Sequence, residues 1–475
     1  MASLMAFSVV GCGSSNNAGS SSSDKADNTA ADTEKTDDAA SDDSASTGDY
    51  KSYNDIELGT DYTDLTASIK FLTCRTDMDS DDYNGKSYAQ YIEDFNKVYP
   101  NITVDVDSMT NYADDALLRL QDDNWGDIMM IPAVDKGELS TYFLSYGDLD
   151  TVSEQVRYAD AWAYDGQVYG VACDANAQGI VYNKKVFEEA GIKELPKTPD
   201  EFIADLKLIK EKTDAIPLYT NYAAEWTMGA WDAYLGGSAT GQSDYMNNVL
   251  LHTANPFSDP GDGTHAYNVY KILYDAVAEG LIEDDYSTTD WEGCKGMINN
   301  GEIGTMVLGS WAVSQMKAAG DNADDIGYMP FPITVDGKQY ASAAPDYNYG
   351  INAKASAENQ EASLIFVKWL TEESGYSYNE GALPVAADID EMPDTYAEFT
   401  DVTMVTDDPA VAGEEDLLNT LNSDSELMIN AGGNQKVMSI VEHAANGDES
   451  FDDVMNEWNE AWTSAQESNS VEINK

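Results

Sequence analysis

The stretch NNGEIGTMVLGSW, residues 299–311, decides the fold. Asn300-Gly301 ends the helical run before it, because Asn and Gly are typical of helix C-termini. Ile303–Leu308 is a short apolar run, which predicts a buried strand of a parallel sheet. Gly309-Ser310 then turns the chain. Trp311 therefore lies at the carboxyl end of a strand, where α/β proteins bind ligands; the alternative is that it packs in a core, as aromatic residues commonly do.

Strands and helices alternate in the part of the chain that precedes this stretch. Ala67–Leu72 reads as a strand, and Tyr88–Val98 carries apolar residues at helical spacing. Ile102–Val106 alternates as a second strand, and Ile128–Ile131 is a buried third strand that Pro132 ends. This β-α-β-α-β order predicts a parallel sheet covered by helices.

A second α/β unit begins near Cys173. The segment Gly179–Phe187 leads from a strand into a helix, and Ile216–Tyr219 reads as a further strand. Between them, Thr198 is the predicted N-cap of a helix, with Pro199 at its first position and Glu201 three residues after the cap. The chain therefore contains two α/β units in succession.

Two of these stretches resemble a known family. GEIGTMVLGSW and the run GIVYNKKVF…AGI…LPKTPDEF, within residues 179–202, are similar to the extracellular solute-binding proteins of family 1, which serve carbohydrate ABC importers. The resemblance covers most of residues 66–390 and is weaker in the C-terminal helices. It implies an α/β fold of the two-lobed periplasmic-binding-protein type II class, with three crossovers between the lobes. It places lobe 1 at 65–172 plus 343–382 and lobe 2 at 173–342 plus 383–475.

Aromatic residues next to polar ones mark the predicted binding cleft. Sugar rings stack their apolar faces on aromatic rings, and their hydroxyls bind polar side chains. The resemblance implies that Trp311 stacks on a sugar and that the loop of Arg75 holds hydroxyls. The alternative for each aromatic residue is core packing, and for Arg75 a salt bridge to nearby Asp residues. The predicted ligand-binding residues are Arg75, Asp77, Asn176, Gln178, Tyr222, Trp226, Trp231, Trp311, Asp346, Tyr347 and Tyr349.

The charge of the chain restricts its partners. The 475 residues are enough for two or three domains, and they carry a formal net charge of −62. Nucleic acid is excluded as a partner, because phosphate binding needs clustered Lys and Arg. The negative field also disfavours anionic ligands, whereas a neutral sugar or oligosaccharide is indifferent to it.

The N-terminus resembles that of a bacterial lipoprotein. An apolar run, Leu4–Val10, ends just before Gly11-Cys12, as in a lipobox, and it is too short to span a membrane. Residues 1–12 are therefore predicted to be the signal peptide and lipobox, with Cys12 lipidated. Residues 13–64 are predicted to be a disordered acidic linker rich in Ser, Ala and Asp. The expected location is the extracellular face of the bacterial cytoplasmic membrane. The alternative is a disordered start with an incidental Cys.

The remaining cysteines give no metal or redox motif. The chain has four cysteines and no C-x-x-C pair. Cys74, Cys173 and Cys294 are expected to be mostly buried free thiols, and a single disulfide among them stays open. The chain has three His, so His-rich metal sites and Ser-His-Asp catalysis are poorly supplied.

One acidic stretch resembles a calcium loop only in part. Asp77, Asp79 and Asp81 alternate as in an EF-hand. The sixth position is Asp82 instead of Gly, however, and the twelfth is Tyr88 instead of Glu. No metal and no cofactor are expected.

The resemblance predicts a monomeric receptor that captures a sugar or oligosaccharide between two lobes. It would then deliver the sugar to the permease subunits of an ABC importer, and it is not expected to be an enzyme. Two alternatives stay open. A secreted acidic glycosidase or polysaccharide lyase would place two carboxylates across a cleft, and a chain with 87 Asp and Glu can supply them. A surface glycan-binding adhesin would bind without closure of the lobes.

Overall fold

Two sheets covered by helices organise the chain. The structure is a computed structural model that describes residues 51–79, 83, 85–109 and 112–474. In the first sheet the neighbouring strands Ile102–Ser108, Ala67–Thr73 and Ile128–Met130 run parallel. Asn348–Ile351 continues the sheet in the antiparallel direction and Val171–Ala172 ends it. The parallel core follows the β-α-β-α-β order of the sequence.

The helices of the first lobe pack around this sheet. They are Tyr88–Val98, Tyr112–Arg119, Leu139–Tyr142, Leu149–Val152, Ala357–Glu372 and Tyr376–Asn379. Tyr88–Val98 begins with a capping box, in which Ser87 and Gln90 satisfy each other's backbone N–H. Its predicted apolar stripe is buried at Tyr88, Tyr91 and Phe95. The helix therefore forms where its spacing and its cap predict.

The second sheet is built around one long strand, Ala175–Asn183, all nine residues of which are buried. It pairs antiparallel with Ile303–Gly309, Ile326–Pro330 and Tyr340–Pro345. Ile303–Gly309 is parallel only to Ile216–Leu218. The predicted burial of Ile303–Leu308 is confirmed. The predicted parallel pairing holds on the side of Ile216–Leu218 and is wrong on the side of Ala175–Asn183. Ala175–Asn183 enters the second sheet from the first lobe and runs antiparallel to the neighbouring strand Ile303–Gly309.

The second lobe holds most of the helices. They are Lys184–Ala190, Pro199–Lys212, Trp226–Gly229, Gly237–Thr240, Leu250–His252, His265–Ala278, Trp291–Asn299, Trp311–Ala318, Leu417–Ser425, Asn434–Asn446 and Phe451–Ser468. The predicted cap at Thr198 is confirmed, because its hydroxyl accepts the N–H of Glu201 at 3.3 Å. The apolar faces of the last three helices pack into the core of the second lobe, so the C-terminal segment is part of it.

Three segments connect the lobes. The chain passes from Val171–Ala172 in the first sheet to Ala175–Asn183 in the second, and returns from Tyr340–Pro345 to Asn348–Ile351. The third segment contains Leu383, which exchanges two backbone hydrogen bonds with Ala175, of 3.1 and 2.7 Å. The two-lobed α/β fold is therefore as the sequence predicts.

The start of the described chain corrects one prediction. Residues 51–64 are not a free linker, because Tyr53 is fully buried and its ring lies 5.5 Å from that of Tyr146. Lys368 places its ammonium 4.3 Å from the same ring. One aromatic residue is enough to anchor a polar segment, and the composition of the segment conceals this. Residues 1–50, with Cys12 and the rest of the linker, lie outside the described residues.

No helix within the described part of the chain has both the length and the apolar character that a membrane span requires.

Candidate functional site

A small cavity lies between the two lobes. Its volume is about 170 Å³, the share of roughly six liquid waters. The first lobe contributes Trp162 and Asn348, and the second contributes Gln178, Asp407 and Asn430. The connecting segment Ser342–Asp346 lines the remaining side. A ligand in this cavity would therefore contact both lobes and a hinge segment at once.

Three of the lining residues carry polar atoms that need a partner. Within the described residues, Gln178 Nε2, Asn348 Oδ1 and Asp407 Oδ1 are buried and have no hydrogen-bond partner. Leaving one such atom unpaired costs about 1–3 kcal/mol. One donor and two acceptors match hydroxyl groups, which both donate and accept. Because these atoms belong to residues that line the cavity, a ligand rich in hydroxyl groups that reached them would supply the missing partners.

Gln178 is held at the cavity by the strand Ala175–Asn183, where it is 3% exposed. Its register partner is Gly309, at the end of the neighbouring strand. A Cβ at position 309 would lie 2.6 Å from Trp311 Nε1 and 3.4 Å from Gln178 Oε1. Glycine is needed there because it lets the indole and the amide approach each other across the backbone.

Asp346 and Asn348 come from the return connection between the lobes. Asn348 Nδ2 donates to the carbonyl of Asp346 at 3.2 Å, and Asp346 N donates to the carbonyl of Asp174 at 3.1 Å. Burial raises the pKa of the Asp346 carboxyl. Burial also raises the pKa of Asp174, and the neighbouring Asp346 raises it further. Carboxyl groups in this position favour hydroxyl donors as partners and repel anions.

Asp407 brings a second carboxyl group to the cavity lining, from the C-terminal part of the second lobe. Its pKa is raised to about 7, first by burial and then by the charge of Asp408. A Cβ at Gly236 would lie 2.8 Å from Asp407 Oδ1, so the carboxyl sits tightly against that backbone. Near neutral pH this group can donate or accept a hydrogen bond.

Trp311 lies in a cluster of tryptophans beside the cavity. Its ring centroid is 5.7 Å from that of Trp226 and 5.8 Å from that of Trp291. Trp311 is 7% exposed and does not line the cavity itself. Next to it, Ser310 Oγ donates to Asn176 Oδ1 at 3.0 Å. Trp226, Trp311 and Asn176 do not line the cavity themselves.

Arg75 and Asp77 lie at a second, wider opening between the lobes, of about 870 Å³, which Asp77 lines. Arg75 Nε is 2.9 Å from Asp77 Oδ1, and an Arg75 guanidinium nitrogen is 2.8 Å from Glu380 Oε2. Tyr83 OH donates to the same Glu380 oxygen at 2.9 Å. Arg75 therefore forms a salt bridge to Asp77, as in the alternative, and a further one to Glu380, while its contact with sugar hydroxyls stays a prediction. Asp81, of the calcium-loop pattern, lies outside the described residues.

The other predicted aromatic residues lie away from the cavity. Tyr222 donates its hydroxyl to Glu442, and Trp231 packs 6.3 Å from the ring of Phe331. Tyr349 packs 5.2 Å from the ring of Phe71 in the first lobe. Tyr347 faces the ring of Tyr112 at 5.9 Å. In these positions the core-packing alternative describes Tyr222, Trp231 and Tyr349.

A sequence model of the family described as "Bacterial extracellular solute-binding protein" matches residues 80–377. The chain belongs to this family. The resemblance stated from the sequence is thereby confirmed.

Two solved structures are similar to this solute-binding protein over most of its length. One is a manno-oligosaccharide specific solute binding protein from Bifidobacterium animalis subsp. lactis with mannotriose, at 57% identity and a TM-score of 0.82, covering 88% of this chain and 99% of that one. The other, from the same organism, is a binding protein of an ABC transporter with mannobiose, at 60% identity and a TM-score of 0.83, covering 89% and 99%.

Curated relatives are more distant. The multiple sugar-binding protein of Streptococcus mutans is 29% identical over 222 residues, which is 45% of this chain and 50% of that protein. The maltotriose-binding protein of Pyrococcus abyssi is 25% identical over 256 residues, 54% of this chain and 50% of that protein. The chain thus spans about half the length of these curated relatives. They are sugar-binding proteins rather than glycosidases.

Sequence reasoning missed Trp162, Asn348, Asp407 and Asn430, all of which line the cavity. Trp162 precedes the short antiparallel strands Ala163–Tyr164 and Gln167–Val168, and a Trp before a turn carries no binding signal of its own. Asn348 stands between two tyrosines that were selected in its place. Asp407 and Asn430 lie beyond residue 377, where the family model ends. Of these four residues, Asn348 alone lies next to residues that the sequence analysis predicts to bind the ligand, namely Tyr347 and Tyr349.

Proposed function

We propose that this solute-binding protein captures a neutral manno-oligosaccharide between its lobes and delivers it to an ABC importer. The observation that carries the proposal is the cavity between the lobes with unpartnered Gln178, Asn348 and Asp407 atoms, counted over the described residues. The choice of sugar is supported by the relatives with mannobiose and mannotriose, which are 57–60% identical.

Capture proceeds by closure of the lobes around the sugar. Closing without a ligand buries the three unpartnered atoms, at about 1–3 kcal/mol each. A sugar that pairs with them removes this penalty and makes contacts to both lobes. It therefore has a higher affinity for the closed state and shifts the population towards it. Trp162 lines the cavity and would be the aromatic residue on which a pyranose ring stacks.

The ligand is neutral because the surroundings of the cavity are acidic. Asp346 and Asp407 line it, and Asp174 lies directly behind Asp346. A uronic acid or sugar phosphate would meet like charges in a site of low dielectric, whereas hydroxyls donate to carboxylates favourably.

The partners and the location follow from the family and from the N-terminal sequence. The sugar-loaded monomer docks on the permease subunits of an ABC importer. Lipidation of Cys12 anchors the protein at the extracellular face of the cytoplasmic membrane. The permease partner rests on membership of the family, and the anchor rests on the sequence around Cys12.

The protein is a receptor and has no hydrolytic activity.

The cavity of about 170 Å³ is smaller than the sites that enclose a whole drug-sized ligand, which have volumes of roughly 300–1,000 Å³. We infer that it encloses one or two sugar units of the ligand, with any further units towards the wider opening.

Isothermal titration calorimetry tests the proposal. Mannobiose and mannotriose should bind the full chain with one site, and glucuronic and galacturonic acid oligomers should not. Prolonged incubation should leave mannotriose intact by chromatography, whereas a glycosidase would release mannose. Absence of heat with all neutral manno-oligosaccharides would overturn the proposed ligand class, and release of mannose would overturn the receptor assignment.

A further inference from the structure

The segment 426–430 has an unusual backbone. Glu426, Met428 and Asn430 have φ of 60°, 48° and 52°, so three non-glycine residues within five positions are left-handed. Residues other than glycine adopt this conformation rarely, although Asn tolerates it best. Such a conformation persists only where the surroundings hold it, and it is concentrated at binding sites.

A buried ion pair holds this segment in place. Asp232 is 1% exposed, and its Oδ2 accepts the backbone N–H of Asn430 at 2.9 Å and a proton from the Lys436 ammonium. Asp232 Oδ1 accepts the hydroxyl of Tyr270 at 2.6 Å. The carboxylate is therefore fully engaged, and one of its oxygens fixes the backbone of Asn430.

A second clamp acts one residue earlier. The side chain of Asn422 accepts the N–H of Ile429 and donates to its carbonyl, both at 2.8 Å. The backbone on both sides of the 429–430 peptide is thus anchored to buried side chains of the same lobe. Because the anchors are buried, Asn430 is presented to the cavity in one fixed orientation.

We propose that Asn430 contacts the bound sugar from the C-terminal helical segment, and that Asp232, paired with Lys436, is the positioning residue for it. This rests on the proposed function. It assigns part of ligand recognition to a region after residue 377, where the family model ends. In this C-terminal region, Asn430 and Asp407 line the cavity from the second lobe, and Trp162 lines it from the first lobe.

The direct test is Asn430→Gly, measured by calorimetry with mannobiose and mannotriose. Glycine accepts the left-handed backbone without strain, so the variant keeps its fold while it loses the amide side chain. We expect Kd to rise roughly fivefold to tenfold, as for a lost hydrogen bond. The matched control is Met428→Gly, which relaxes a left-handed residue of the same segment that does not line the cavity. Its Kd should stay within about twofold of the wild-type value.

Asp232 is tested through its coupling to Asn430. Asp232→Asn should weaken sugar binding in the wild-type background and have little further effect in the Asn430→Gly background. A role in stability alone would lower the affinity equally in both backgrounds. Wild-type binding with an unchanged Kd for Asn430→Gly would overturn the inference while leaving the proposed function intact. No wild-type binding to any manno-oligosaccharide would overturn both.

Discussion

Replacing Gln178 by Met tests whether the unpaired amide of Gln178 disfavours closure of the lobes in the absence of a sugar. Among the described residues that line the cavity, Gln178 Nε2 is one of three buried side-chain atoms without a hydrogen-bond partner. Met has a similar length and volume but no amide, so the substitution removes one unsatisfied group and leaves the packing nearly unchanged. Two effects of opposite sign should follow.

The first effect concerns the protein without sugar. Three unpaired atoms disfavour the closed form by about 3–9 kcal/mol, and Gln178→Met removes about 1–3 kcal/mol of this penalty. The closed, sugar-free population should therefore rise roughly 5- to 150-fold. The second effect concerns binding. The bound sugar loses one hydrogen bond, a net loss of about 0.5–1.5 kcal/mol, so Kd should rise by up to about tenfold.

Paramagnetic relaxation enhancement from a spin label on one lobe, without sugar, and calorimetry with mannotriose measure the two effects. Relaxation enhancement is needed because the two atoms that stay unpaired still disfavour the closed form by about 2–6 kcal/mol, so closure remains a minor population. The enhancement on the opposite lobe should be larger in sugar-free Gln178→Met than in the wild type. Gln242→Met, an exposed glutamine of the same lobe outside the cavity, is the control and should change neither quantity. If Gln178→Met leaves both the sugar-free relaxation enhancement and Kd at wild-type values, the unpartnered amide does not govern closure and the reasoning is refuted.

Three further predictions concern other residues. Trp162→Ala should raise Kd about tenfold, because stacking on the sugar is lost. Trp231→Ala, in the core of the second lobe, should instead lower the free energy of unfolding by about 3–5 kcal/mol and leave Kd of the folded fraction unchanged. Calorimetry measures Kd and urea unfolding measures the stability of both variants. Burial raises the pKa of Asp407 to about 7, and a hydrogen bond from a sugar hydroxyl would favour the charged form of this carboxyl. Binding should therefore release a proton, so Kd should fall as the pH rises from 6 to 8. Titration in buffers of different ionisation enthalpy measures this, and a flat profile that Asp407→Asn does not alter would contradict it. Burial raises the pKa of the Cys173 and Cys294 thiols, the latter to about 12, so iodoacetamide at pH 8 should label them only in denaturant; labelling in the native state would show that they are accessible.

Local signals in the sequence were sufficient for the elements of the fold. The cap at Thr198 and the helix Tyr88–Val98 form as predicted, because capping and apolar spacing act within a few residues. The direction of Ile303–Gly309 against its neighbour was not predictable in this way. It depends on which lobe the neighbouring strand enters from.

In the candidate site, too, some residues could be predicted from the sequence and others could not. Gln178 and Asp346 line the cavity and were selected from the sequence, because both lie where a strand connects the lobes. Tyr222 and Trp231 were selected for their aromatic–polar neighbourhood, which core and cleft residues share. Arg75 has an acidic partner from position 380, about three hundred residues away, which no local pattern indicates.

The sequence by itself determined the family, the two α/β lobes and the acidic character that favours a neutral ligand, since these follow from local patterning and from summed charge. Only the tertiary structure decided which residues meet at the cavity. Trp162, Asn348, Asp407 and Asn430 are far apart in the chain, and they become neighbours because three connections bring the two lobes face to face. Whether a buried polar atom lacks a partner depends on groups from every surrounding element, so this property exists only in the folded chain.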